Sequence, residues 1–186
     1  MVGGRASRLG RDKALVSVNG RTLLERAVAA VRPLAAEVLL VGPMREGLNL
    51  RDVRWVQDEK AGLGPIGGLL TALNAARFDW VLCLGCDTPF ITTEILRTLI
   101  VNTGDLDASV LRCATKPEPL VAAYQRSTRD TVRRQIENGD LVMHSLLRAL
   151  RVTFVDIAPQ ESIRLINVNT FDDLAKAEQI APLLER

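Results

Sequence analysis

Three glycines and four basic side chains crowd into one short segment near the amino end, Gly3-Gly4-Arg5-Ala6-Ser7-Arg8-Leu9-Gly10-Arg11-Asp12-Lys13. Glycine permits positive φ and close backbone approach, so successive N–H groups can converge into an anion-binding concavity. Arginine adds a planar fork and lysine a point charge. That chemistry suits a triphosphate; the plainer alternative is a solvated basic turn before a helix. The spacing follows neither the Walker pattern nor the dinucleotide fingerprint, which disfavours an ATPase loop or a nicotinamide site.

A second group is Leu84-Gly85-Cys86-Asp87-Thr88-Pro89-Phe90, an acid placed where the apolar run Trp80–Leu84 ends. Magnesium takes oxygen ligands, often one or two carboxylates completed by substrate phosphates, so Asp87 is the candidate metal ligand. An Asx turn leaving the strand would use the same residues. Between the two groups lies Asp58-Glu59-Lys60-Ala61-Gly62-Leu63-Gly64-Pro65-Ile66-Gly67-Gly68. Its glycines would let backbone approach a base or ribose, and Pro65 suits a first helical turn; ordinary helix packing is the other reading. In Asn167-Val168-Asn169-Thr170 the two amides share a face if the segment is extended, and their oxygens can contact a cation or its waters.

Other reactive side chains carry less. Cys83 and Cys86 have no second pair to complete a zinc site, and their odd separation in a strand sends them to opposite faces, so both are expected in the core. His144 is the one histidine, which rules out a multi-histidine metal site; it is expected at a helix start. Arg129, Arg133 and Arg134 read as a solvated helix face. Lys116 is placed to meet a second anionic substrate.

These groups need a scaffold. Short β-rich runs at 38–41, 53–56, 81–84, 108–111, 121–124 and 152–157 alternate with helical spacing at 22–31, 66–76, 93–102, 127–137, 144–150 and 172–184. Thr93 and Thr170 mark helix starts, Pro33 and Gly104 mark stops, and Thr115–Pro119 reads as a loop. The pattern predicts a three-layer α/β/α Rossmann-like sandwich on a mostly parallel sheet, with ligands beyond the carboxyl ends of the strands. The 186 residues fit a single domain spanning 1–186. Only Met1 and Val2 precede Gly3, so the strand expected to feed the glycine loop reads as truncated. A formal charge of +2 from 24 basic and 22 acidic residues leaves no broad field for nucleic acid or anionic membrane, and no apolar run is long enough to span a bilayer. With no secretory signal ahead of Gly3, the chain reads as cytoplasmic.

The motifs together resemble the molybdenum cofactor guanylyltransferase family within the nucleotidyltransferases. The likeness runs in order through Gly3–Lys13, Gly64-Pro65 with Gly67-Gly68, Cys86-Asp87-Thr88-Pro89, Pro119-Leu120 with Tyr124, and Asn167–Thr170, nearly the whole chain. Asn-x-Asn-Thr favours the guanylyl over the cytidylyl relatives, whereas Gly85 departs from the proline frequent there. The resemblance implies transfer of GMP from GTP to molybdopterin, with Mg2+ as cofactor and pyrophosphate leaving. It implies that Arg8 and Lys13 hold the triphosphate with Gly3, Gly4 and Arg5 along it. Asp58 and Gly64 would face the nucleotide, Asp87 would bind the metal, and Asn167 and Asn169 would lie near the pterin. Proteins that deliver molybdopterin or mature molybdoenzymes are the implied partners. The alternatives are transfer to another acceptor, such as a sugar phosphate or by cytidylyl transfer to molybdopterin, and a nucleotide- or pterin-binding protein without catalysis.

Overall fold

The computed structural model describes residues 12–45, 48 and 50–184. Gly3, Gly4, Arg5 and Arg8, and the stub ahead of them, therefore lie outside the described residues. The elements run β1 (Ser17–Val18), β2 (Arg21–Thr22), α1 (Leu23–Val31), β3 (Leu39–Val41), β4 (Arg54–Val56), α2 (Gly64–Ala75), β5 (Trp80–Leu84), α3 (Thr93–Val101), β6 (Ala108–Cys113), β7 (Lys116–Gln125), α4 (Arg129–Glu137), α5 (Met143–Ala149), β8 (Val152–Asp156) and α6 (Phe171–Leu184). Short 3-10 turns cover Lys13–Leu15, Arg32–Leu34, Arg126–Thr128 and Pro159–Leu165.

Local chemistry explains the helix starts. Thr22 caps α1 by accepting from the Glu25 N–H at 3.1 Å, while the Glu25 carboxylate accepts from the Thr22 N–H at 2.9 Å, a reciprocal capping box. Thr92 caps α3, one residue before the predicted start. The hairpin of β1 and β2 turns at Asn19 and Gly20, both at positive φ (48° and 74°), the chemistry that a two-residue hairpin requires.

The described strands form two main sets. β3 and β4 pair in parallel, and a four-stranded sheet runs in the order β5-β7-β6-β8. β7 is antiparallel to both β5 and β6, whereas β6 and β8 are parallel. The sheet is thus mixed, which corrects the expectation of a mostly parallel one. The cause is the tight connection between Cys113 and Lys116, too short for a helical crossover, which forces β7 back against β6. Thr115–Pro119, expected as a loop, mostly belongs to β7. Pro117 pairs only toward β6, at Arg112, because β5 joins the ladder from Val121 onward, so this stretch is locally an edge and tolerates proline.

Three apolar clusters lock helices to both faces. One joins α1 and α6 to β3 through Leu23, Val28, Leu40 and Ala177. A second joins α2, α4 and α5 to the sheet through Leu69, Val132, Leu146 and the fully buried Tyr124. The third seats Leu96 and Leu99 of α3 on Leu111 and Val121. Cys83 and Cys86 are both buried, as expected of core residues, but Cys86 lies in the turn past the end of β5, so strand alternation does not set its direction.

Candidate active site

β5 delivers the acid. Its ladder with β7 ends where the Gly85 N–H donates to the Leu120 carbonyl at 3.0 Å, and the chain then turns through Cys86 to Asp87. A Cβ added to Gly85 would lie 2.5 Å from Asp87 Oδ1, so the carboxylate packs over this glycine and a side chain here would have to displace it. The Asp87 carbonyl accepts from the Val168 N–H at 2.9 Å, which draws the Asn167–Thr170 segment alongside.

Lys13 closes this corner. Asp12 caps the Lys13–Leu15 turn by accepting from the Ala14 N–H at 3.0 Å, and the Lys13 Nζ donates to Asp87 Oδ2 at 3.1 Å and to Asn169 Oδ1 at 2.5 Å. The lysine side chain is 15% exposed and the aspartate 26%, so the pair is shielded yet open to a ligand. Three motifs that lie 74 and 156 residues apart in sequence thereby meet at the carboxyl end of β5.

The Asn-x-Asn segment is held from below. Val168 is fully buried, whereas Asn167 is half-buried and Asn169 exposed. Asp173 Oδ2 accepts from the N–H groups of Asn169 (3.0 Å) and Thr170 (2.9 Å), and these bonds, led by the Asn169 N–H, pull the Asp173 carboxyl below the ordinary aspartate range. Asn167 instead donates toward the Leu165 carbonyl at 3.5 Å. Of the two amides, Asn169 is the one bonded to Lys13.

Asp58 is half-buried on the loop after β4. Glu59 beside it ties the loop to α2, its N–H donating to Thr71 Oγ1 at 3.2 Å and its carboxylate accepting from Asn74 at 2.8 Å. Gly64 opens α2 at φ 63°, exposed, next to Pro65. Gly67 is required by packing, since a Cβ there would meet the Leu63 Cβ at 2.5 Å.

Several participants were not singled out from the sequence. Arg45, with a side chain only 7% exposed, ion-pairs with Asp12 at 2.5 Å and donates to the Pro43 carbonyl at 2.8 Å, bracing the residue before Lys13. Glu118 on β7 is half-buried; burial first and then the Asp87 charge push its carboxyl above the ordinary range, opposed by His144 and Lys116. Arg45 carries no local signal, whereas Glu118 directly precedes Pro119-Leu120 of the family motif. Burial likewise pushes the Cys83 and Cys86 thiols up.

Residues 1–154 match the family model of the MobA-like NTP transferase domain. The chain belongs to the MobA-like NTP transferase family. A probable molybdenum cofactor guanylyltransferase of Carboxydothermus hydrogenoformans is 34% identical over 181 residues, covering 96% of this chain and 85% of the relative. The molybdenum cofactor guanylyltransferase of Pseudomonas paraeruginosa is 30% identical, covering 97% and 93%. Among solved structures, the molybdopterin-guanine dinucleotide biosynthesis protein A of Archaeoglobus fulgidus superposes with a TM-score of 0.80 at 27% identity, over 98% of this chain and 96% of that one. The 2-C-methyl-D-erythritol 4-phosphate cytidylyltransferase of Thermus thermophilus shares the fold at 21% identity, with a TM-score of 0.74. As a member of this family, the chain is a nucleotidyltransferase.

Proposed function

We propose that this nucleotidyltransferase transfers GMP from GTP to molybdopterin. The observation that carries the reading is the contact of Lys13 with both Asp87 and Asn169, which unites the phosphate-loop, acidic and Asn-x-Asn motifs at one corner. The guanylyl and molybdopterin specificity is supported by the names of the relatives over nearly the full chain.

The donors there are oxygens, the Asp87 carboxylate and the Asn169 amide, a hard set that fits Mg2+. Asp87 would hold the ion, and bound there Mg2+ would supply charge neutralisation on the phosphates. Lys13 binds triphosphate oxygens through its ammonium group, and Gly3, Gly4, Arg5 and Arg8 of the same motif are assigned to the same anion. Asp58 and Gly64 face the base side; Asn167 and Asn169 face the pterin side. An oxygen of the molybdopterin phosphate attacks the α-phosphorus of GTP in line, the bond to the β-phosphate breaks, and pyrophosphate leaves with that electron pair. The nucleophile is already anionic, so positioning and charge stabilisation carry the catalysis and no proton need be moved.

No helix among the described residues is long and apolar enough to cross a membrane. We place the reaction in the cytoplasm, with protein partners that deliver molybdopterin or receive the product. The test is pyrophosphate release with GTP, CTP and ATP, each with and without molybdopterin. Release with GTP only in the presence of molybdopterin supports the proposal; preference for CTP, or no release with any nucleotide, contradicts it.

A further inference from the structure

Lys13 reaches its two partners from a turn that is clamped on both sides. Below it, Ala14 and Val16 are buried in the cluster that joins α1 and α6 to β3, and the Leu15 and Val16 N–H groups donate to the Asp12 and Lys13 carbonyls at 3.0 and 3.1 Å. Above it, the Asp12 carboxylate divides its two oxygens. Oδ1 accepts from the Ala14 N–H at 3.0 Å, and Oδ2 accepts from Arg45 Nε at 2.5 Å. The cap of the turn and the ion pair therefore run through one side chain.

Arg45 is brought there by the β3–β4 pair. Leu40 and Val41 are buried, the Gly42 N–H donates to the Val56 carbonyl at 2.9 Å, and the chain bends at Gly42, whose φ is 132°. Arg45 Nη1 then donates back to the Pro43 carbonyl at 2.8 Å, which fixes the guanidinium against Asp12. With its side chain only 7% exposed, the arginine is turned onto the aspartate. The charges of Lys13 and Arg45 both act on the buried Cys86 thiol beside Asp87, so the two cations share one corner.

A lysine ammonium sits on a flexible four-carbon stem, so its position depends on how firmly the backbone beneath is held. Here Nζ meets Asp87 at 3.1 Å and Asn169 at 2.5 Å. We propose that Arg45 is a positioning residue: through Asp12 it holds the turn that aims the Lys13 ammonium at Asp87 and Asn169, and it tightens triphosphate binding without touching the anion. The last step rests on the reading of Lys13 given under the proposed function.

The test uses Arg45→Met, Asp12→Asn and Lys13→Met in the full chain. Asp12→Asn keeps an oxygen to cap the turn and removes the charge that holds Arg45. The first readout needs no ligand: the 13C signal of the Lys13 methylene next to Nζ, assigned by its loss in Lys13→Met, should stand apart from those of the exposed Lys60, Lys116 and Lys176. Arg45→Met and Asp12→Asn should each move it toward them, and the double variant should move it no further. The second readout is calorimetric binding of inorganic triphosphate with Mg2+. Arg45→Met should weaken it about tenfold, the size of a coupling within one hydrogen-bond network, and should change nothing in the Lys13→Met background. A Lys13 signal unmoved by both variants overturns the proposal. So does an equal loss of affinity in both backgrounds, which would put the guanidinium on the anion itself. If the parent protein fails to bind triphosphate, the phosphate reading of Lys13 falls, and the carbon signal still decides whether Arg45 positions it. Should Arg45→Met fold poorly in a thermal melt, Asp12→Asn carries both readouts with the same expected outcomes.

Discussion

Lys13→Met keeps most of the side-chain volume and removes the charge. Its Nζ sits 3.1 Å from Asp87 Oδ2 with the side chain 15% exposed, so a phosphate oxygen taken at that position would meet a shielded ammonium. A hydrogen bond to a charged group contributes about 1.5–3 kcal/mol. An ion pair at about 4 Å in a medium of effective dielectric about 20 gives an upper figure of about 4 kcal/mol. At about 1.36 kcal/mol per decade these limits translate into a loss in kcat/KM of about 10-fold to 1,000-fold. The fold should survive. The lost pair with Asp87 is worth about 1 kcal/mol, which for a chain of this size lowers Tm by about 2–4 °C. Steady-state pyrophosphate release at saturating molybdopterin, beside a thermal melt, separates the two effects. A variant within threefold of the parent in kcat/KM would refute the assignment of Lys13 to the triphosphate, and collapse of the melt would mean that its role is structural.

Three further outcomes are expected. Gly67→Ala forces a Cβ to within 2.5 Å of the Leu63 Cβ, so it should cost about 1–3 kcal/mol by chemical denaturation and raise the KM for GTP by shifting the Gly62–Gly64 loop. Asp173→Ala removes the acceptor shared by the Asn169 and Thr170 N–H groups; it should cost about 1 kcal/mol and raise the KM for the acceptor more than that for GTP. Glu118 has a folded pKa raised by burial and by Asp87, so the fold favours its protonated form. That contribution is complete below the ordinary glutamate range and is lost as pH rises through the folded value. Glu118→Gln should therefore stabilise the protein at neutral pH, and melts across pH should show the gain vanish in acid.

Much of the scaffold was legible because its elements obey period and punctuation. The runs at 38–41, 81–84 and 108–111 and the helices beginning near Thr22 and Thr93 fall within a residue or two of the observed ones. The antiparallel course of β7 was not legible, because the turn at Ala114 and Thr115 holds a non-glycine residue at φ 52° and carries no Asn-Gly signal. The β1–β2 hairpin does carry one, at Asn19-Gly20, but its strands of two residues are too short for an alternation to stand out. Of the site, Lys13, Asp87 and Asn169 were readable as motif members. Their convergence depends on the Val168 to Asp87 bond across the fold, which no local pattern encodes. The same holds for Arg45, which reaches Asp12 across 33 residues. Gly85, a departure from the family pattern in sequence, gains a reason in the structure: the Asp87 carboxylate lies over it.

The most direct test of the guanylyl-transfer account follows the phosphorus. With GTP labelled at the α-phosphate and molybdopterin as acceptor, the label should enter a molybdopterin guanine dinucleotide, whereas label at the γ-phosphate should leave as pyrophosphate; no α-label in the pterin product, or γ-label retained there, would contradict it.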